Sequence, residues 1–119
     1  MDSKMNPKWV DEKEEQEIKP PSQLGVDEAW EVDLHLHELL DSYQQKSDHE
    51  KLIFQTKHFR KCMDAAITYK IKKIIFIHGV GKGTLKQEIL HALKDYERVR
   101  HYDAPFRRYG YGALVIEIL

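Results

Sequence analysis

The residues from Trp30 to His37 alternate between apolar and polar side chains, which is the pattern of a half-buried β-strand. Its apolar side would carry Val32, Leu34 and Leu36, and its polar side Asp33, His35 and His37. A second strand is predicted over residues 73–77, where four successive apolar residues indicate burial on both faces.

Apolar residues at helical spacing follow each of these strands. Ser47 and Glu50 have the spacing of a capping box, and the helix that begins there is expected to end near Tyr69. Residues 38–46 before it are predicted to be an irregular connection. A second helix is expected from Thr84, with its apolar stripe formed by Leu85, Ile89, Ala92, Leu93 and Tyr96.

Two further strands complete the pattern. Residues 99–103 alternate weakly, like an edge strand, and residues 113–119 are apolar except for Glu117, like a central strand. The order β-α-β-α-β-β predicts an α/β fold, a two-layer α+β sandwich, with a four-stranded mixed sheet of order 1-2-4-3. Right-handed crossovers then place both helices on one face and leave the other face largely open.

Composition divides the 119 residues into two parts. Residues 1–31 contain nine acidic and four basic residues, whereas residues 32–119 contain eleven and fifteen, so the net charges are −5 and +4. We interpret residues 1–29 as a flexible, charged N-terminal linker to other domains of a larger protein, and residues 30–119 as a single domain. The positive part is the one suited to a polyanion.

Several classes of protein are disfavoured by the same composition. The single cysteine, Cys62, excludes an internal disulfide, so a reducing, cytoplasmic location is expected. No apolar run is long enough to span a membrane, and no membrane partner is predicted. Cys62 and the histidines lack zinc-ligand spacing, and His49, His58, His91 and His101 are expected at the surface.

The loop after the second strand predicts a site for phosphate. His78 is followed by Gly79, Gly81 and Gly83 around Lys82, and a helix begins at once. Its spacing fits neither the Walker A loop nor the dinucleotide fingerprint. Glycines permit close backbone approach, and a helix N-terminus attracts anions. The alternative is a strand–helix turn that needs its glycines for geometry alone.

Asp33 and His35 are expected at the carboxyl edge of the sheet beside His78, where open α/β sheets place their sites. Acid–base chemistry on a phosphodiester, or binding of a divalent cation, would use such residues. The alternative is that Asp33 and His35 are solvated polar residues, and that His78 caps the loop through local hydrogen bonds.

The loop 105–112 is basic, aromatic and rich in glycine. Its arginines, Arg107 and Arg108, suit phosphates, and its tyrosines, Tyr109 and Tyr111, offer flat faces for unpaired bases. The alternative is a hairpin whose aromatic side chains pack over the sheet edge.

Three motifs together resemble the small MutS-related domain, or Smr domain. They are Val32-Asp33-Leu34-His35, His78-Gly79-Val80-Gly81-Lys82-Gly83 and Tyr109-Gly110-Tyr111-Gly112-Ala113. The resemblance covers about residues 30–119. It implies a fold similar to the C-terminal domain of bacterial translation initiation factor three, nucleic-acid binding and, in several members, cleavage of DNA or RNA.

The resemblance makes Asp33 and His35 the expected catalytic pair, and His78 with Gly79, Gly81 and Gly83 the loop that holds the backbone. From their charge and position, four further residues are expected to bind nucleic acid: Lys82, Lys86, Arg107 and Arg108. The expected function is nicking of DNA or RNA, branched or single-stranded. The alternative is a non-catalytic module that binds nucleic acid or protein. The sequence specifies no particular cofactor, and a divalent cation, magnesium or manganese, is left open.

Overall fold

The fold is a four-stranded sheet with two helices on one face, seen in a computed structural model that describes residues 18–25, 27–36 and 46–119. The strands are β1 (Trp30–Asp33), β2 (Lys73–Ile77), β3 (Val99–Asp103) and β4 (Ala113–Ile118). Their order in the sheet is β1-β2-β4-β3, with β1 and β2 parallel and β4 antiparallel to both of its neighbours. The predicted strand order is confirmed.

The helices follow the two parallel strands, as the pattern predicts. Helix α1 (Asp48–Thr68) begins with a complete capping box, in which Ser47 accepts from the backbone of Glu50 and Glu50 accepts from the backbone of Ser47. Helix α2 (Thr84–Ala92) continues into a 3-10 turn at Leu93–Asp95. Within the described residues, no helix is both long and apolar enough to cross a membrane.

The core lies between the two helices and one face of the sheet. Phe59 of α1 and Phe76 of β2 are fully buried, and their ring centroids are 4.7 Å apart. Alternate strand residues meet them, because strand side chains point to opposite faces in turn. The buried residues of this core are Trp30, Val32, Leu34, Phe59, Cys62, Met63, Ala66, Ile74, Phe76, Ile89, Ala92, Leu93, Leu114 and Ile116.

The opposite face of the sheet is less open than the sequence predicts. Ala104, Ala113 and Val115 form a second buried cluster there, against which the partly buried Tyr109 packs. Tyr109 ends a short helix, α3 (Phe106–Tyr109), within the segment predicted to be a loop. Four residues after a proline are too few to show helical periodicity, so α3 has no signal in the pattern.

Three other expectations have separate outcomes. His58 is half-buried rather than at the surface, and burial lowers its pKa to about 4. Residues 38–45 of the predicted connection lie outside the described residues. Within the proposed linker, Ile18 and Leu24 are partly buried and pack against the core, whereas the boundary at residue 29 stays a prediction.

Candidate nucleic-acid site

The glycine loop at residues 78–83 joins the carboxyl end of β2 to α2 and is tied to the start of β4. The backbone N–H groups of His78 and Gly79 both donate to the carbonyl of Gly112, at 2.8 and 2.9 Å. These two amides are therefore engaged within the fold. The part of the loop left to receive a phosphate is residues 80–83, which lead into the helix.

Gly79 lies between the two imidazoles that the sequence places at this edge. Its missing side chain faces His35, since a Cβ on Gly79 would lie 3.0 Å from Nε2 of His35. On its other side, the carbonyl of Gly79 accepts from Nδ1 of His78 at 2.7 Å. The backbone of Gly79 has φ +79°, a left-handed conformation that favours glycine. A side chain here would strain the backbone and displace His35.

Asp33 fixes the ring of His35. Oδ1 of Asp33 accepts from the backbone N–H of His35 at 2.8 Å and lies 2.5 Å from Nδ1 of its ring. Because a carboxylate only accepts hydrogen bonds, Nδ1 carries the ring proton, and in the neutral imidazole Nε2 is the basic nitrogen. The side chain of His35 is 46% exposed and that of Asp33 is 38% exposed, so a ligand can reach the pair.

His78 is partly buried. Burial lowers its pKa, and this effect opposes the contribution of the Gly79 carbonyl that favours the charged ring. Nδ1 donates to that carbonyl, so Nε2 holds a lone pair. Nε2 is buried and has no hydrogen-bond partner among the described residues. His78 therefore stabilises the loop through its hydrogen bond to Gly79. The catalytic role predicted for His78 stays a prediction.

The N-terminus of α2 is presented at the end of the glycine loop. Gly83, with φ +79°, occupies the N-cap position, where within the described chain no side chain caps the helix. Lys82 is exposed beside it. The dipole and unpaired amides of such a terminus attract a negative charge. Lys82 and the N-terminus of α2 can therefore contact the same anion.

Lys86 lies in the first turn of α2 and already forms an ion pair with Asp103. Its Nζ lies 2.9 Å from Oδ1 of Asp103, at the end of β3, and the pKa of Asp103 is lowered mainly by this hydrogen bond. Asp103 was not among the predicted site residues. Only the strand register, with Asp103 opposite Leu114 on the helix side of the sheet, brings it to Lys86.

A cavity of about 480 Å³ lies on the helix side of the loop. It is bounded by the first half of α1, including Lys51, and by the loop and the start of α2 with Lys82 and Lys86. Its described lining includes His78 but neither Asp33 nor His35. The loop therefore has two sides, with the Asp33–His35 pair on one and a basic cavity on the other.

The two predicted stacking tyrosines have different surroundings. Tyr109 packs on the sheet face, and its hydroxyl donates to the carboxylate of Glu31. Arg108 lies over the Tyr109 ring, 5.4 Å from its centroid, and 3.7 Å from the same carboxylate. Tyr111, in contrast, is 75% exposed. The alternative in which the aromatic side chains pack on the sheet therefore describes Tyr109 but not Tyr111.

The described residues include no group of three His, Cys, Asp or Glu side chains that would hold a metal ion. Magnesium prefers several oxygen ligands, and Asp33 already accepts two hydrogen bonds on Oδ1. The pair is thus a poor metal site by itself. A magnesium or manganese ion stays a prediction, and no chemical step below depends on one.

Comparison with known proteins gives the family. Residues 56–118 match the Smr domain. The chain belongs to the Smr domain family. The crystal structure of the Smr domain of MutS2 from Thermus thermophilus is similar, with 27% sequence identity, a TM-score of 0.54, and coverage of 75% of this chain and 96% of that one. No curated protein matches the sequence. Smr domains generally bind nucleic acid, and some members nick it.

Proposed function

We propose that this Smr domain nicks the phosphodiester backbone of DNA or RNA, with Asp33 and His35 as its catalytic residues. The observation that supports the proposal is the 2.5 Å contact between Oδ1 of Asp33 and Nδ1 of His35, which sets the tautomer and orientation of an exposed imidazole. An aspartate that holds a histidine in this way makes the other ring nitrogen an effective general base.

The proposed reaction is hydrolysis. Nε2 of His35 takes a proton from a water molecule as the water oxygen bonds to phosphorus, and the carboxylate of Asp33 stabilises the imidazolium that forms. The bond from phosphorus to the leaving oxygen breaks, and solvent protonates that oxygen. In RNA, the ribose 2′-hydroxyl can replace the water as nucleophile, and it then bonds to phosphorus in the same way.

The phosphate would be held by residues 80–83 and the N-terminus of α2, with Lys82 as the nearest exposed cation. Arg107 would extend the positive surface across α3, and Arg108 would contribute less because it lies 3.7 Å from the carboxylate of Glu31. Lys86 contributes less than its charge suggests, because Asp103 neutralises it. Since few cations are involved, we expect affinity to be modest and to fall with salt along a shallow slope, because that slope grows with the number of cations that contact phosphate.

The test is cleavage by His35→Ala, measured as conversion of supercoiled plasmid or structured RNA to nicked product. We expect loss of nicking with binding largely retained, since the alanine removes the base and leaves the loop cations in place. His91→Ala, which changes an exposed histidine on α2, is the matched control and should cleave normally. Unchanged cleavage by His35→Ala would refute the proposal.

A second candidate is a module that binds nucleic acid without cutting it. The burial of Nε2 of His78 favours it, because this ring in its present orientation cannot protonate a leaving oxygen. Binding and nicking assays of the wild-type chain distinguish the nicking enzyme from the module that only binds. Salt-sensitive binding without any nicking, with or without added magnesium or manganese, would establish binding alone.

A further inference from the structure

Two exposed aromatic rings stand beside the glycine loop. Phe106, the first residue of α3, and Tyr111 have ring centroids 4.7 Å apart and planes tilted by 59°. They are 61% and 75% exposed. Single exposed apolar side chains are ordinary, whereas two adjacent exposed rings form an apolar patch that a ligand can contact.

Hydrogen bonds hold the backbone that carries both rings. The N–H of Gly110 donates to the carbonyl of Phe106 at 2.8 Å, and the N–H of Gly112 donates to the carbonyl of Tyr109 at 3.2 Å. Between them in the sequence, the hydroxyl of Tyr109 donates to the carboxylate of Glu31. The backbone that carries the two rings is therefore held by hydrogen bonds, which lowers the cost of ordering it when a ligand stacks on the rings.

The backbone links Tyr111 to the proposed catalytic pair. Tyr111 directly precedes Gly112, whose carbonyl accepts from the N–H of Gly79, and the missing side chain of Gly79 faces the ring of His35. Arg107, beside Phe106 in the sequence, is an exposed cation, whereas Arg108 lies 3.7 Å from the carboxylate of Glu31. Exposed aromatic rings together with a nearby cation and a phosphate loop have the chemistry of a site for a nucleobase attached to its backbone.

We propose that Phe106 and Tyr111 form a stacking platform for an unpaired base, so that this domain acts on single-stranded or locally unpaired nucleic acid. The inference rests on the proposed function only in taking nucleic acid as the ligand. In a continuous duplex both faces of each base are covered by neighbouring bases, so only an unpaired base can lie on the platform. The platform thus narrows the substrate from nucleic acid in general to its unpaired segments.

The test compares three fluorescent probes bound by the full chain: a short oligothymidylate, an abasic strand of the same length, and a hairpin duplex. Tyr111→Ala should weaken binding of the oligothymidylate on the order of 10-fold and leave the abasic strand and the duplex within about twofold. Tyr111→Trp should bind oligothymidylate at least as well as wild type, with its indole fluorescence quenched by the stacked base. Tyr69→Ala, at an exposed tyrosine after α1 on the opposite edge of the sheet, is the control and should change nothing.

The outcomes separate this inference from the proposed function. Equal losses by Tyr111→Ala on all three probes, or no loss on oligothymidylate, would overturn the platform even if His35-dependent nicking is found. A selective loss on oligothymidylate would support the platform even if the chain cuts nothing. Thermal unfolding of each variant shows that it is folded, and a folded wild-type chain that binds none of the probes would refute both.

Discussion

The ring of His35 occupies the space that a side chain at Gly79 would need. A Cβ on Gly79 would lie 3.0 Å from Nε2 of His35, closer than carbon atoms normally approach ring nitrogens. The two residues come from the ends of neighbouring parallel strands, where Leu34 N–H still donates to the carbonyl of Ile77. Gly79 therefore leaves room for the ring of His35, in the proposed catalytic pair, as well as forming the turn.

Replacing Gly79 with alanine should disturb both the backbone and His35. Any L-residue in this left-handed conformation costs about 1–2 kcal/mol, and the added Cβ must also push the imidazole away. We expect a loss of unfolding free energy of at least that size in urea, a change in the ring ¹⁵N resonances of His35, and a strong loss of nicking.

Gly83 provides the matched control for Gly79→Ala. It has the same φ of +79°, but a Cβ there meets no atom within 4 Å. Gly83→Ala should therefore show the backbone cost alone and leave the His35 resonances in place. If the two variants changed those resonances equally, the contact between Gly79 and His35 would be unimportant.

The charge of Asp33 can be tested separately from its shape. Asp33→Asn keeps the size of the side chain but removes the negative charge that stabilises the imidazolium of His35, and it no longer enforces one tautomer. We expect the single-turnover nicking rate to fall by about 100-fold or more, with the dissociation constant for the nucleic acid little changed. Asp64→Asn, at an exposed aspartate of α1, should leave the rate as in wild type. A similar rate for both variants would exclude an ionised Asp33 from the reaction.

The strands and helices were predictable because their side chains repeat with the right periods. The alternation around Val32 and the stripe from Leu85 to Leu93 mark faces that must be buried, the edge-like or central pattern of each strand indicates the strand order, and handedness then places both helices on one face. Asp33 and His35 were predictable as a pair for the same reason, since they share the polar side of one strand.

The contacts that were missed depend on tertiary structure. Glu31 and Tyr109 are far apart in sequence, and only the folded sheet brings them together. Asp103 meets Lys86 across the layer between sheet and helix. Likewise, nothing in the local pattern distinguishes Tyr111 from Tyr109, because their different exposure follows from α3, a turn too short to leave a periodic signal.

The ion pair of Lys86 and Asp103 predicts that removing an acid will strengthen binding. Asp103→Asn leaves Lys86 without its carboxylate and removes a negative charge near the phosphate loop. Each additional free cation should raise affinity for a nucleic acid and steepen its salt dependence by about one unit of slope. Fluorescence anisotropy over a series of salt concentrations measures both quantities.

Asp95→Asn is the control for this variant. Asp95 pairs with Arg60 at the same 2.9 Å, and its side chain is 65% exposed against 66% for Asp103, but it follows the far end of α2. It should have a much smaller effect on affinity. If both variants strengthened binding equally, net charge rather than the position of Lys86 would be responsible.

His58 should make the fold sensitive to acid. Burial, with a smaller contribution from the charge of Lys61, lowers its pKa from 6.5 to about 4. Between these values the unfolded chain binds a proton that the folded chain does not, so protonation favours unfolding. The contribution of His58 to stability is therefore complete above pH 6.5 and is lost as the pH falls towards 4, with an upper limit of about 3 kcal/mol.

Urea unfolding of wild type and His58→Gln at several pH values between 7 and 4 measures this contribution. The glutamine cannot take up a proton, so the variant should lose less stability than wild type over the range, and the gap between the two curves should open below pH 6.5. His91→Gln changes an exposed histidine and should follow the wild-type curve. Parallel curves for wild type and His58→Gln would mean that His58 titrates alike in the folded and unfolded chains.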